Sequence, residues 1–247
     1  MKILVCISVT PDTTSKISFK NNDSEYNGDG VQYILNPYDE WYALVRALEI
    51  KEQTGGTVTV IHVGPSTNEA MIRKALAIGA DDAVRINLAP INALVTASLI
   101  GDYAKDKNYD LILTGKETID YQTATVGPMI AEILGLPFIS FVSRLELEGN
   151  LAKCNRDIEG GIELVSVHLP AVISASKGMA EQRIPNMKGI MTAKTKPLQI
   201  IEPGMTLDPR TETVQYTLPP AKKGVVMFTA DQLDQLVKTL HAKEKLF

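Results

Sequence analysis

Cysteine and histidine are scarce in this 247-residue chain. The two cysteines, Cys6 and Cys154, stand far apart, and the three histidines (His62, His168 and His241) are equally scattered. A disulfide framework, a CxxC redox pair and a zinc site all need cysteines at closer or repeated spacings. The sequence therefore excludes these three kinds of site, and it argues against a metal centre built from histidines.

A basic charge balance and a long apolar run are lacking as well. The 25 Lys and Arg residues are outnumbered by 29 Asp and Glu residues, which gives a net charge of −4 and a pI near 5.5. Nucleic-acid-binding proteins normally carry a basic face, so nucleic acid is not expected as a partner. No apolar run approaches the roughly 20 residues that span a bilayer. We therefore expect a cytoplasmic protein without direct membrane insertion.

Strand and helix signals alternate in the first half of the chain. Runs rich in β-branched residues occupy 2–9, 57–63 and 110–114, as is typical of strands covered on both faces of a parallel sheet. The helices predicted between and after them are one capped by Asn36 and Pro37, one with a capping box at 66–69 and an end at Gly79, one opened by Pro90, and one from about Thr123 to Gly135. This alternation predicts an α/β fold with a doubly wound, mostly parallel sheet.

The second half of the chain follows a different pattern. Four short β-like runs (138–145, 151–156, 162–169 and 171–175) are separated by glycine-containing turns, which predicts a β-hairpin region added to one edge of the sheet. Residues 176–194 are irregular, and five prolines between 197 and 220 predict an extended arm, which ends in a helix after a cap at 229–232. We therefore predict a sheet domain over 1–194 and a C-terminal arm with a helix over 195–247.

The usual sequence signatures of hydride, phosphoryl, acyl and zinc chemistry do not occur. The strongest candidate for a site is 110–128, where a buried strand ends at Thr114 and a hydroxyl-rich loop leads into a helix. Ligands of open α/β sheets bind beyond the carboxyl ends of strands, and the N-terminus of a helix attracts phosphate. Thr123 and Thr125 would add hydroxyl donors. In the alternative interpretation, these two threonines merely cap the helix.

Other candidate residues have simpler structural explanations. The loop at 36–39 also leads into a helix, and an ordinary capped helix explains it best. Cys6 is most simply a small core residue, and His62 a core or edge histidine with satisfied hydrogen bonds. Since no carboxylate pair and no nucleophile–base set stands out, the residues give little support for an enzyme active site.

The stretch 156–173 resembles a known family. It runs Arg-Asp-Ile-Glu-Gly-Gly-Ile-Glu from Arg156, followed by Val165 and by Pro-Ala-Val-Ile from Pro170. This pattern is similar to the signature of the β-subunits of electron-transfer flavoproteins. Cys154 and Ser174 depart from the usual residue types, but both are small. Asn36-Pro37, the helix end at 75–81 and the loop at 115–120 resemble the family as well, so the likeness covers essentially the whole chain.

The resemblance implies a redox shuttle and not a catalyst on its own. Such a β-subunit has an adenine nucleotide-binding, Rossmann-like domain and pairs with an α-subunit that carries FAD. The heterodimer accepts electrons from flavin dehydrogenases, such as acyl-CoA dehydrogenases, and passes them towards a quinone reductase. In the simple type the β-subunit buries a structural AMP. The positions that match the AMP pocket are Cys6, Asn36, Pro37, Tyr38, Asp39, Val63, Gly115, Lys116, Glu117, Thr118, Ile119, Asp120, Tyr121, Gln122, Thr123, Ala124, Thr125 and Val126.

The resemblance also assigns regions that face partners. Tyr38 matches an aromatic residue near the flavin of the α-subunit, and residues 195–247 match the part that contacts the α-subunit. Residues 176–194, called the docking segment below, match the loop that anchors dehydrogenases, with Met187 at its apolar anchor. Methionine suits such a position because it is apolar and flexible enough to pack against several partners.

Two alternatives remain open. In the electron-bifurcating type, a second FAD replaces the AMP and reacts with NADH, and residues 123–128 (Thr-Ala-Thr-Val-Gly-Pro) and 11–14 lean towards that type. However, Tyr121-Gln122 replaces its Gly-Asp pair, and a tyrosine there would crowd a bulky ligand, so AMP is favoured. From a different class, a stand-alone adenine-nucleotide sensor of the stress-protein kind has a similar sheet domain. The long arm and the last helix argue against it.

Overall fold

A computed structural model describes residues 1–204, 206, 208–222 and 224–244. The predicted arm includes the six remaining residues, which lie outside the described part. The chain divides into two compact units. The first consists of Met1–Ile17 and Gly28–Thr213, and the second of Ser18–Asn27 and the described residues from Val214 onwards.

Strands and helices alternate along most of the first unit. The strands of the chain are β1 (Lys2–Cys6), β2 (Val9–Pro11), β3 (Phe19–Lys20), β4 (Glu25–Tyr26), β5 (Tyr33–Leu35), β6 (Thr57–Val63), β7 (Asp82–Ile86), β8 (Leu111–Gly115), β9 (Phe138–Glu148), β10 (Leu151–Ile158), β11 (Gly161–His168), β12 (Ala171–Ala175) and β13 (Leu198–Ile201). The α-helices are α1 (Asp39–Thr54), α2 (Glu69–Ile78), α3 (Ala93–Ala104), α4 (Val126–Leu134), α5 (Met187–Ala193) and α6 (Leu233–Thr239). In the described part of the chain, no helix is long and apolar enough to cross a membrane.

Nine strands form one sheet in the order β11-β10-β9-β12-β8-β1-β6-β7-β13. In this sheet order, all neighbouring strands from β9 to β13 pair in parallel. At the other end of the order, β11, β10 and β9 form an antiparallel meander at one edge of the sheet. This confirms the predicted doubly wound, mostly parallel α/β sheet and the hairpin region at its edge.

The sheet is covered by helices on both faces. Along β1, Ile3 and Val5 point into one apolar cluster with α1 and α2, while Leu4 points into a second cluster with α3 and α4. These side chains are fully buried, and burial of such an aliphatic side chain contributes roughly 1.5–3 kcal/mol. Burial on both faces explains why the central strands are continuous apolar runs without polar alternation.

Three of the predicted strand and arm assignments are wrong in detail. Residues 171–175 do not form an edge hairpin, because β12 lies between β8 and β9 and pairs in parallel with both. The predicted arm begins with β13, which pairs with β7 and extends the sheet at its other edge. The run at 2–9 is broken after Cys6, and β2 pairs with β5 in a separate ribbon.

The predicted helix starts are also displaced, because side chains expected to cap a helix bond elsewhere. Helix α1 begins at Asp39 with Tyr38 at its N-cap, so Asn36 is not the cap. Residues 66–68 form a 3-10 turn ahead of α2, and the Glu69 carboxylate pairs with Arg85 instead of closing a capping box with Ser66. Helix α3 begins three residues after Pro90, with Asn92 as its cap. The predicted ends at Gly79 and Gly135 are correct.

The second unit is small. Strands β3 and β4 form a hairpin, whose Phe19 ring stacks on Tyr216 with the ring centroids 4.8 Å apart. The backbone N–H of Tyr216 donates a hydrogen bond to the carbonyl of Asp23. The predicted cap of the last helix is confirmed, since Thr229 and Gln232 form a capping box ahead of α6.

Candidate functional site

The chain reverses its direction of winding at β1. Strands β6 and β7 follow on one side of β1, and β8 and β12 follow on the other. The carboxyl ends of three adjacent strands therefore meet at one edge, at Cys6, Val63 and Gly115. In open α/β sheets, ligands bind in the crevice outside such a reversal of strand order.

A cleft of about 280 Å³ opens at this edge. The residues that line this carboxyl-edge cleft are Pro37, Tyr38, Asp39, Tyr42, Lys116, Glu117, Thr118, Ile119, Gln122 and Lys177. Eight of these ten residues are among the positions predicted from the sequence. Tyr42 and Lys177 are not, because a single tyrosine inside a helix and a lysine after a strand carry no motif that would identify them.

Asn36 holds the loop that forms one wall of the cleft. Its side chain is fully buried, and its amide nitrogen donates to the carbonyl of Glu117 at 3.2 Å. The amide oxygen accepts a hydrogen bond from the backbone N–H of Ile119 at 3.1 Å. Both ends of the amide are thus used by the protein, so this residue positions the loop.

Glu40 is a buried carboxyl group beside the cleft that the sequence did not reveal. Its two oxygens accept hydrogen bonds from the backbone N–H of Ser8 at 2.6 Å and from the Ser8 hydroxyl at 2.7 Å. Burial raises the pKa of Glu40 to about 8, and the nearby charge of Asp120 adds to this shift. A Cβ atom on Gly115 would lie 2.6 Å from Cγ of Glu40, so only glycine leaves room for this side chain.

Charged side chains occur at the same wall. Lys116 forms an ion pair with Glu117 at 2.9 Å and approaches Asp39 at 4.0 Å. Burial raises the pKa of Asp39, while the hydrogen bond to Glu117 raises the pKa of Lys116. The Lys116 ammonium also lies 5.9 Å from the centre of the Phe141 ring. The wall therefore presents a fixed cation, already partly neutralised by two carboxylates.

The loop before α4 adopts an irregular conformation. Gln122 and Ala124 have positive φ angles of 50° and 52°, which non-glycine residues adopt rarely. Helix α4 begins at Val126, and no side chain caps it; the Thr125 hydroxyl donates to the Thr123 hydroxyl at 3.1 Å. The interpretation of these threonines as caps is therefore wrong. The first turn of α4 has no side-chain acceptor of its own, which fits an anion-binding role.

The remaining predicted positions differ in exposure. Cys6 and Val63 are buried beneath the edge, and burial raises the pKa of the Cys6 thiol. Asp120 and Tyr121 lie on the exposed side of the loop, where an Asp120 oxygen accepts the Tyr121 N–H. His62 is buried, with one ring nitrogen 3.0 Å from the Ile7 carbonyl and the other 2.9 Å from the Asn68 amide, as expected for a satisfied core histidine.

The docking segment begins at the cleft, which Lys177 helps to line, and further along it exposes apolar side chains. Ile184, Met187 and Met191 are 81%, 74% and 66% exposed. Large apolar side chains at this level of exposure, close together in the chain, are typical of interaction sites.

Polar contacts fasten the same segment to the sheet domain. The Arg183 guanidinium binds both carboxylate oxygens of Glu52, and the Trp41 indole N–H donates to the Arg183 carbonyl. Further along, Arg73 donates to the carbonyls of Ala193 and Lys196. The segment is therefore anchored by polar bonds while Ile184, Met187 and Met191 remain exposed.

A doubly wound sheet with a cleft at its reversal point defines the class of α/β proteins that bind ligands at the carboxyl edge. The family described as "Electron transfer flavoprotein domain" matches residues 25–204. The β-subunit of the electron transfer flavoprotein of Bacillus subtilis is 36% identical over the full length of both chains. The human β-subunit is 31% identical over 97% of this chain and 98% of its own.

A third relative is subunit CarD of a caffeyl-CoA reductase–Etf complex of Acetobacterium woodii, which is 33% identical over 99% of this chain and 98% of its own. The chain therefore belongs to the electron-transfer flavoprotein family and is similar to its β-subunits throughout. Membership gives it an electron-transfer role in association with flavin, as a carrier protein and not as a classical enzyme.

Proposed function

We propose that this chain is the β-subunit of a heterodimeric electron-transfer flavoprotein and that it holds a structural AMP at the carboxyl edge of its sheet, next to the carboxyl-edge cleft. The observation that carries the proposal is the meeting of three strand ends at the reversal of strand order, next to the uncapped start of α4. The AMP phosphate would bind at that helix start, and the adenine would bind near Cys6 and Val63. AMP supplies no redox chemistry, so its role there is to stabilise the fold.

The FAD is proposed to lie mainly on the α-subunit, and it supplies the electron-accepting group. On this chain, Tyr38 is the residue suited to contact it. Tyr38 is 61% exposed at the cleft and lies just ahead of α1, with a positive φ of 67°. Residues 195–247 are proposed to contact the α-subunit, with α6 and the exposed apolar residues between 214 and 237 as the contact surface.

Electrons are proposed to come from flavin dehydrogenases, such as acyl-CoA dehydrogenases, and to pass towards a quinone reductase. The docking segment would bind the dehydrogenase through Met187. The support is its combination of exposed apolar side chains with a fixed backbone, which lowers the entropy lost when a partner binds.

The test is to co-express the chain with its α-subunit, extract the bound nucleotides and identify them. We expect one AMP and one FAD per heterodimer. Adding AMP to nucleotide-free heterodimer should stabilise it by about 2.7 kcal/mol at a hundredfold excess over Kd. An unmoved melting curve would contradict the structural AMP.

A second test concerns Asn36 and the loop that forms one wall of the cleft. Asn36→Ala removes both hydrogen bonds that hold the cleft wall, and we expect it to weaken AMP binding by roughly tenfold or more, since the loss of a buried hydrogen bond costs about 1–3 kcal/mol. Asn87→Ala removes an amide that also makes two side-chain hydrogen bonds, with Arg85 and Glu202, but does not line the cleft, so it serves as the control.

A bifurcating carrier is the second candidate, and two observations favour it. The relative from Acetobacterium woodii is named as part of a reductase–Etf complex, and residues 123–128 lean towards the bifurcating type. In that case a second FAD would replace AMP, and NADH would reduce the heterodimer. Two FAD per heterodimer together with reduction by NADH would decide for this candidate.

A further inference from the structure

Helix α5 carries two exposed methionines on one side. Met187 and Met191 stand four residues apart, so both side chains project from the same face of the helix. They are 74% and 66% exposed, whereas Met179, a few residues earlier, is only 5% exposed. The docking segment thus presents two thioether sulfurs to solvent and keeps a third inside.

The helix has no room to turn these side chains inward. On its opposite face, a Cβ atom on Gly189 would overlap the carbonyl oxygen of Ala77, so the backbone of α5 lies directly against α2. Ala193, on the same inner face, is buried, and its carbonyl accepts a hydrogen bond from Arg73 at 2.8 Å. The Asn186 side chain accepts the Gly189 N–H at 2.8 Å and fixes the start of the helix.

Thioethers in this setting are open to oxidation. Hydrogen peroxide transfers one oxygen atom to the methionine sulfur: the O–O bond breaks, a sulfur–oxygen bond forms, the sulfur loses two electrons and water leaves. The product, methionine sulfoxide, is polar, and sulfoxide reductases convert it back to methionine. An apolar docking face that carries two such groups would lose much of its affinity for an apolar partner.

We propose that Met187 and Met191 are a reversible modification site, at which peroxide oxidation weakens the docking of flavin dehydrogenases. The inference rests on the proposed function of the docking segment. It adds a means of regulation at that surface, through which the electron carrier would be disconnected from its donors under oxidising conditions.

The first experiment maps the modification. The heterodimer of this chain with its α-subunit is treated with dilute hydrogen peroxide, and the sulfoxide content of each methionine is followed by peptide mass spectrometry. We expect Met187 and Met191 to be oxidised at least about tenfold faster than Met179, in line with their exposure. Equal rates for the three residues would overturn the proposal.

The second experiment connects the modification to docking. The affinity of the heterodimer for a flavin dehydrogenase is measured before and after peroxide, and again after a methionine sulfoxide reductase. We expect the affinity to fall about tenfold and the reductase to restore it. The free energy of fully burying a methionine side chain corresponds to about one to two orders of magnitude in affinity. Full oxidation without any loss of affinity would overturn the proposal.

The double variant Met187→Leu/Met191→Leu keeps the face apolar but cannot be oxidised. Each protein is compared with its own untreated affinity, and we expect this variant to lose less than about twofold after peroxide. An equal loss in the variant would assign the sensitivity to another group and overturn the proposal. Failure of the docking assignment itself is recognised separately, because Met187→Ala would then leave the affinity of untreated protein unchanged.

Discussion

The carboxyl-edge cleft and the docking segment use polar and apolar groups in opposite ways. In the cleft, the buried polar groups of Asn36 and Glu40 bond to neighbouring loops and fix the shape of the wall. In the docking segment, the polar bonds of Arg183 and Arg73 lie at its attachment to the domain, and the apolar side chains face outward.

The difference fits the proposed roles of the two regions, the cleft for a permanent ligand and the docking segment for transient partners. A cleft shaped by buried, bonded groups suits a nucleotide that stays bound, because its walls do not need to reorganise. An anchored segment with an adaptable apolar face suits partners that come and go, because a methionine side chain can repack against different surfaces. Four predictions test this contrast, in order of decreasing effect.

The largest effect is expected at Glu40. Its folded-state pKa of about 8 lies above the ordinary value of 4.5, so the folded chain holds the proton more tightly than the unfolded chain. The resulting stability is fully present below pH 4.5 and is lost as the pH rises through 8. Between these values the free energy of unfolding should fall by up to about 1.4 kcal/mol per pH unit.

Glu40→Gln should remove this slope while keeping an acceptor for Ser8, as measured by chemical denaturation at several pH values. Glu146→Gln, at a half-exposed site on β9, is the control for loss of a negative charge. Parallel pH profiles for wild type and Glu40→Gln would contradict a protonated carboxyl beside the cleft.

The next prediction compares one glycine beside the cleft with one glycine in the docking segment. In Gly115→Ala the new methyl group meets Cγ and the backbone nitrogen of Glu40 at 2.6 and 2.9 Å, and in Gly189→Ala it meets the Ala77 carbonyl. Each should cost roughly 1–3 kcal/mol of stability through overpacking. We expect Gly115→Ala to weaken AMP binding and to spare docking, and Gly189→Ala to do the reverse.

Calorimetric titration with AMP and with a dehydrogenase measures both affinities. Gly161→Ala, where nothing lies within 4 Å of the new atom, is the matched control. If either variant impaired both affinities equally, the two regions would not be independent and the contrast between them would be lost.

A smaller effect is expected from Met187→Ala, which removes the proposed apolar anchor of the docking segment. The rate of flavin reduction by limiting dehydrogenase should fall about tenfold, with the FAD content unchanged, because the truncated side chain buries less apolar surface against the partner. Leu164→Ala, equally exposed on the edge strand β11, is the control. Equal rates for Met187→Ala and wild type would remove Met187 from the docking surface.

The smallest effect is expected at the ion pair of Arg183 with Glu52. Both side chains are substantially exposed, and exposed pairs contribute about 0–1 kcal/mol. Arg183→Ala should therefore change the free energy of unfolding by less than about 1 kcal/mol, and a double-mutant cycle with Glu52→Gln measures the coupling. A coupling well above that value would show that the anchor is stronger than its exposure implies.

The sequence predicted the parts of this molecule that depend on local pattern. The buried runs at β1, β6 and β8, the helix ends at Gly79 and Gly135 and the hairpin turns all follow from apolar periodicity and turn chemistry. The family followed from the motif at 156–173, and eight of the ten cleft residues followed from that resemblance. The helix starts were misplaced because the side chains of Asn36 and Glu69 bond to distant groups and Thr125 makes no cap bond.

The sequence by itself determined a doubly wound α/β chain with an electron-transfer flavoprotein motif. Apolar periodicity and turn residues are local signals that act over a few positions, so they can be recognised in the sequence. Only the tertiary structure decided that β12 is an inner strand, that β13 extends the sheet and that Glu40 is buried beside Ser8, 32 residues away. It also decided that the face of α5 with Met187 and Met191 is exposed. These features depend on which segments meet after folding, and no local pattern encodes the burial of a single carboxyl group or the inner face of a seven-residue helix.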